Sequence, residues 1–359
     1  MNNVKHRIEA LDGLRFLAIL MVLFYHYLFI APLQGFLPRE YNVPSLVFGD
    51  YGVDLFFLIS GFVITLSSEN RSVAKFSQAR FNRIFPMFFI CAFIVYFFSI
   101  SLPMVDSKER LSSLFYSLTF FPNLFGKDYF SSVYWTIQVE VTFYIFVALF
   151  MWVGVWEKKK HFICSIWLAI SYANNFIVDS HLITTFLLTR YAGHFVIGIV
   201  LFELRTSRVK PVHLLLILFS LVLIYNSMLQ QQLWIDGFGI KVDHASLLMM
   251  AVLIVGVVWV ASNIESLGRA YKFVKFLGAM TYPLYLIHAD LGFWSHAIFE
   301  RKLWAYDFFK NHVGYYSTIF LAMFLSLFLS ALLVKFVDPF IQLRLKKIWE
   351  RKKNISDLA

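Results

Sequence analysis

The sequence predicts an all-α fold, a polytopic transmembrane helix bundle of about ten spans with both termini in the cytoplasm. Three observations predict it. Of the 359 residues, 59% are hydrophobic and 15% charged, against roughly 45–50% apolar and 25% charged in soluble domains. The apolar residues, 42 Phe among them, fall in runs of about 20, the length that crosses a hydrocarbon core of roughly 30 Å. The Lys and Arg residues punctuate these runs unevenly, which sets the orientation.

In chain order the spans are expected at 14–32, 51–67, 84–103, 133–153, 162–179, 183–203, 212–229, 243–261, 276–298 and 314–336. The segment 111–125 is apolar but short and ends in Phe121-Pro122-Asn123, so it reads as an interfacial or re-entrant piece. If it crossed, everything after it would invert. One set of alternate connections, from Lys5, Arg7 and Arg15 through to the tail from Arg344 to Lys353, holds 22 Lys and Arg, and the opposite set holds 8. Positive residues are retained in the cytoplasm, so the first set faces it. The N-terminal apolar run lacks a small-residue cleavage site and is expected to remain as the first helix. Residues 1–340 read as one membrane domain and 341–359 as a short basic cytoplasmic tail.

The net charge of +10 does not indicate nucleic acid, because the basic residues bound apolar runs instead of forming a face. Cys91 and Cys164 both lie inside apolar runs without metal-ligand or disulfide spacing, and no metal is expected.

A charge at a helix centre costs roughly 2.5–3.5 kcal/mol on insertion scales, so ionisable residues inside spans mark function by default. Five stand out: His26, Asp54, Glu140, Arg190 and His288. Arg15 and His26 are about three turns apart on one helix face, with a rise of roughly 16 Å. The other four, counted from their span ends, approach the depth of His26. Any one of them reads equally as a helix-to-helix hydrogen bond; five together favour a site. His194 reads equally as packing, and Arg39, Lys108 and Arg301 as solvated loop charges.

Several motifs carry a family likeness: LDGLRFLAILMVLFYH at 11–26, GVDLFFLISGFVI at 52–64, RFNRIFP at 80–86, YWTIQVEVTFY at 134–144, LGAMTYPLYLIH at 277–288 and VDPF at 337–340. In order and spacing the sequence resembles the acyltransferase-three family, polytopic membrane acyltransferases that O-acetylate bacterial surface sugars. Pro283, Thr281 and Asp338 depart from the family's usual residues. The chain reads as the stand-alone form, without a fused extracytoplasmic domain.

The resemblance implies a multi-pass enzyme of the bacterial cytoplasmic (inner) membrane. It implies acetyl-coenzyme A as acyl donor and a glycan or lipid-linked glycan acceptor, as in surface polysaccharide or lipopolysaccharide, amid membrane lipid. Acyl transfer to a hydroxyl needs a base, a group that holds the base's tautomer, and positive charge near the developing oxyanion. His26 is the expected base, with a covalent acyl-His26 as the competing role. Glu140 or Asp54 is expected to orient it, with Arg190 or His288 near the acyl oxygen. Arg15, Arg80, Arg83 and Lys75 are expected to meet the donor's phosphates, although cytoplasmic arginines also serve topology alone. Trp135, Tyr144, Tyr282 and Tyr285 of the same motifs are expected to line the substrate site. The alternatives are a secondary transporter with an intramembrane proton relay, and an acyltransferase acting on a lipid or small-molecule acceptor.

Overall fold

The computed structural model describes residues 8–100, 107–303, 306 and 314–356, and every regular element among them is helical. In chain order the principal helices are α1 (Glu9–Tyr25), α2 (Gly52–Ser68), α3 (Val73–Ser99), α4 (Ser107–Ser117), α5 (Trp135–Trp152), α6 (Trp156–Ala173), α7 (His181–Leu187), α8 (Ala192–Thr206), α9 (Pro211–Asp236), α10 (His244–Ser262), α11 (Tyr271–Leu303), α12 (Gly314–Leu332) and α13 (Asp338–Ser356).

Among the described residues, nine helical stretches are long and apolar enough to cross a membrane, and they coincide with nine of the ten expected spans. The tenth, expected at 276–298, lies within the 33 residues of α11. Its length suffices, but Tyr282, Tyr285, His288 and Asp290 make it less apolar than the rest. Lys5, Arg7 and the last residues of the expected 84–103 span lie outside the described residues.

Two boundaries differ in ways that matter. The second span starts at Pro44, because a 3-10 run, Pro44–Tyr51, leads directly into α2. Asp50, expected in an outer loop, is thereby drawn into the helical column. The basic tail is helical too: α12 continues through a π-helical turn, Leu333–Val337, into α13. Helix α4 has 11 residues and rises only about 16 Å, half a bilayer.

The chain divides into two compact units. The first comprises residues up to Phe29, Tyr41–Ser77 and Thr136–Gly278, and its core forms where α2 meets α8. A Cβ on Gly61 would strike the carbonyl of Phe195, and one on Gly198 the carbonyl of Leu58. Only glycine permits that approach of backbone to backbone. Phe57 meets Tyr191 and Phe195 at 4.8 and 5.4 Å, and Phe62 meets Phe202 at 5.4 Å. The two helices therefore run parallel. Parallel packing requires an odd number of crossings between them, which α3, α5 and α6 supply without α4. Helix α1 packs antiparallel to this column, with Gly49 facing Met21 and Tyr25, and Gly52 facing Ala18 and Val22. Leu58, Ile59, Phe62, Ile197, Ile224 and Met228 fill the buried core of this unit.

The second unit holds residues 30–40, 78–135 and 279–359. Phe85, Phe88 and Tyr134 pack around Phe120 and one another at 4.8 to 5.0 Å. Tyr282 donates its hydroxyl hydrogen to the Ile84 carbonyl, and Tyr285 to that of Val133, each at 3.2 Å. Helix α13 is anchored on α3, where Trp349 Nε1 donates to Asn82 Oδ1 at 3.1 Å and Gln342 Nε2 to the Asn82 carbonyl at 3.2 Å.

Because the side chain of Gly198→Val would collide with backbone, this variant is expected to lose about 1–3 kcal/mol of stability. Thermal unfolding in detergent measures it, with Gly256→Val, where a Cβ meets open space, as the tolerated control.

Candidate active site

In the first unit the polar side chains form a string along the helices. Helix α1 ends at Tyr25 and gives way to a π-helical turn, His26–Ile30; such turns alter the direction in which side chains project. His26 Nδ1 lies 2.9 Å from the Val22 carbonyl. A carbonyl only accepts, so Nδ1 carries the proton and neutral His26 has its lone pair on Nε2. Tyr25 meets the imidazole edge-on at 5.4 Å and stacks on Phe29 at 5.3 Å.

The carboxylates expected to orient His26 are engaged elsewhere. Asp54 Oδ1 lies 2.5 Å from Nε2 of His194, which is fully buried, so Asp54 serves a histidine other than the one expected. The physical reason is register. His26 is level with the turn preceding Gly49, whereas Asp54 lies roughly 10 Å further along the column. Glu140 accepts hydrogen bonds from Ser60 Oγ at 3.5 Å and from the Tyr144 hydroxyl. Ser60 is six residues beyond Asp54, about 9 Å. The expectation of one shared layer is thus corrected to a string: His26, then Asp54 with His194, then Glu140 with Tyr144.

Arg190 is nearer the level of His26. On the α2–α8 register it stands opposite Asp50; the charges of Asp54 and Arg190 act on Asp50, and those of all three act on Tyr191. Its guanidinium lies 5.8 Å from the Tyr191 ring centre. Arg190 Nε and Asp50 Oδ2 are buried without a hydrogen-bond partner among the described residues, which leaves a donor and an acceptor for a ligand.

Arg15 sits at the other end of α1 and pairs with Asp12 at 3.4 Å. Lys75 is exposed, and its backbone N–H meets Ser72 Oγ at 3.4 Å.

The remaining expected residues, Trp135, Arg80, Arg83, Tyr282, Tyr285 and His288, belong to the second unit. His288 is fully buried, and its Nδ1 lies 2.8 Å from the Tyr285 carbonyl, the arrangement of His26 repeated. Arg80 is half-buried and Arg83 exposed. They flank Asn82, to which α13 is anchored, and Arg344, Lys346 and Lys347 of that helix are exposed.

A family model described as an acyltransferase domain matches residues 8–335. The chain belongs to that acyltransferase family. Curated relatives include a peptidoglycan O-acetyltransferase of Listeria monocytogenes, 25% identical over 44% of this chain and 26% of its own length. Another is the acyltransferase MdmB of Streptomyces mycarofaciens, 29% identical over 39% of this chain and 38% of its own. An O-acetyltransferase of Staphylococcus aureus is 28% identical over 40% of this chain and 24% of its own. The matched stretches thus cover well under half of each relative. No solved structure matches the chain significantly.

In this multi-pass member of the acyltransferase family, sequence reasoning missed three kinds of residue. His194 reads as packing until Asp54 is placed against it. Asp50 carries a usable signal, since with Asp54 it has the i, i+4 spacing of one helix face, the spacing that the expected Arg190 has with His194. In the second unit Arg110 donates to the Phe130 carbonyl at 3.3 Å and lies over the rings of Phe130 and Trp294 at 4.2 and 4.9 Å. Burial holds Arg110 below the usual guanidinium value, against the pull of Asp290.

Removing Asp54 strands the His194 imidazole in an apolar interior. Asp54→Ala is expected to lower stability by about 1–3 kcal/mol, and Asp54→Asn, which keeps an acceptor, by less. Thermal unfolding of both variants compares them; equal losses would make the contact one of packing alone.

Proposed function

We propose that the chain is a membrane O-acyltransferase that moves an acetyl group from acetyl-coenzyme A to a hydroxyl of a surface or lipid-linked glycan, with His26 as general base. The observation that carries the assignment is the Val22 carbonyl on His26 Nδ1, which directs the basic lone pair to Nε2. Nε2 takes the acceptor's hydroxyl proton as the oxygen attacks the thioester carbonyl. The C–O bond forms, the C–S bond breaks, and the leaving thiolate takes the proton from the imidazolium. Arg190, with an unpartnered buried Nε, supplies positive charge to the developing oxyanion. Asp54 with His194 and Glu140 with Tyr144 line the path towards Arg15.

The donor's phosphates are assigned to Arg80 and Arg83, with the exposed Arg344, Lys346 and Lys347 of α13, the helix anchored at Asn82, as further candidates. Guanidinium and ammonium groups suit phosphate. The donor approaches from the cytoplasm, the side that the 22 against 8 distribution of Lys and Arg assigns to these residues. The protein resides in a bacterial inner membrane on this reading, and the acceptor approaches from outside. The relatives' names, all acyl- or acetyltransferases, favour an enzyme over a transporter.

The test uses inside-out vesicles, labelled acetyl-coenzyme A and a peptidoglycan or lipid-linked glycan acceptor. Label is expected in the glycan, and His26→Ala is expected to reduce transfer by about 10²–10⁴-fold; full activity in that variant removes His26 from the mechanism. Arg83→Ala and Trp349→Ala, the latter releasing α13 from Asn82, are expected to raise the donor KM roughly tenfold with little change for the acceptor. An unchanged donor KM in both returns this surface to a topological role.

A further inference from the structure

A third polar cluster lies apart from the proposed catalytic string, at the end of the first unit where α6 begins, α8 ends and α9 begins. His161 Nε2 is 2.6 Å from Glu203 Oε2 and 3.1 Å from His213 Nε2, and His213 Nε2 is 3.6 Å from the same carboxylate oxygen. Lys160 Nζ lies 3.6 Å from the other oxygen, Oε1, which leaves Oε2 to face both rings. His213 is fully buried, Glu203 is 14% exposed and His161 30%.

We propose that His161, Glu203 and His213 form a divalent-cation site of the Zn²⁺ class that clamps these three helix ends together. The ligand atoms lie within 4.8 Å of one another. Their separations of 2.6, 3.1 and 3.6 Å bracket the ~3.3 Å edge of a tetrahedral shell with ~2.0–2.1 Å metal–ligand bonds. Two imidazoles and one carboxylate are a recurrent ligand set for such ions.

Proton accounting points the same way. A neutral His161 presents either a proton or a lone pair at Nε2, so it cannot both donate to Glu203 and accept from His213. A central cation meets lone pairs from all three groups and removes the conflict. Lys210 N–H donates to His213 Nδ1 at a long 3.3 Å, which leaves the proton on Nε2 without metal. Binding shifts that proton to Nδ1 and exchanges the weak backbone bond for a metal bond. Partial exposure of His161 lets a water take the fourth position, which leaves one coordination position open to solvent. The sequence alone expected no metal, because its ligands lie 42 and 52 residues apart along the chain and form no local motif.

The test takes the full chain in detergent, strips it with chelator and titrates it with Co²⁺, followed by visible absorption. Saturation at about one equivalent, with the bands of four- or five-coordinate Co²⁺, is expected, together with bleaching by Zn²⁺. Absence of a saturable band in the unaltered chain overturns the site. The band is expected to vanish in His161→Ala combined with His213→Gln, and to need at least ~10-fold more Co²⁺ in His161→Gln alone, a partly exposed position that folding tolerates. Unchanged affinity in His161→Gln also overturns it.

Discussion

The first unit depends on one close approach, the backbone of α2 against that of α8 at Gly61 and Gly198. Two helices that touch through glycine have no side chain at the crossing to absorb a slip, so their register is set within a fraction of a turn. Leu58 is held to Gly198, and Phe62 to Phe202. The same register carries Asp54 to His194 and Asp50 to the level of Arg190. Backbone packing thus decides which ionisable groups meet. In a medium without water each of them is costly unless paired, and the two i, i+4 pairs meet as two acids facing two bases.

The same register spreads the polar groups along the unit instead of gathering them. His26 stands on a π-helical turn at one end of α1, Asp54 with His194 lies further along, and Glu140 with Tyr144 further still. That arrangement suits a reaction whose donor has a long flexible arm and a charged end. Asp54 lies against His194 as an ion pair and Glu140 accepts from the Tyr144 hydroxyl within the apolar interior, and the His26 imidazole is oriented by a backbone carbonyl, which carries no charge and needs no counter-ion. Acetyl transfer to a glycan is the proposal that gives this string a use; the family relationship itself stands on the match across residues 8–335.

Hydropathy reads length and composition along a single segment, and these are local quantities. They located the spans, the all-α class and the short segment 111–125, and they marked His26, Asp54, Glu140, Arg190 and His288 as buried ionisable residues. The motif order also carried the family. Where the local signal was diluted, as by the tyrosines and His288 of α11, composition by itself was weaker than motif.

What the sequence by itself determined, then, is which residues enter the membrane and which of them are chemically able to act. Tertiary structure alone decided their partners. Val22 serves His26, His194 takes Asp54, Asn82 anchors the tail helix, and Glu203 gathers His161 and His213. The reason is physical: a partner across two helices is chosen by the crossing point and register of backbones dozens of residues apart, and no periodicity within either helix encodes where they touch.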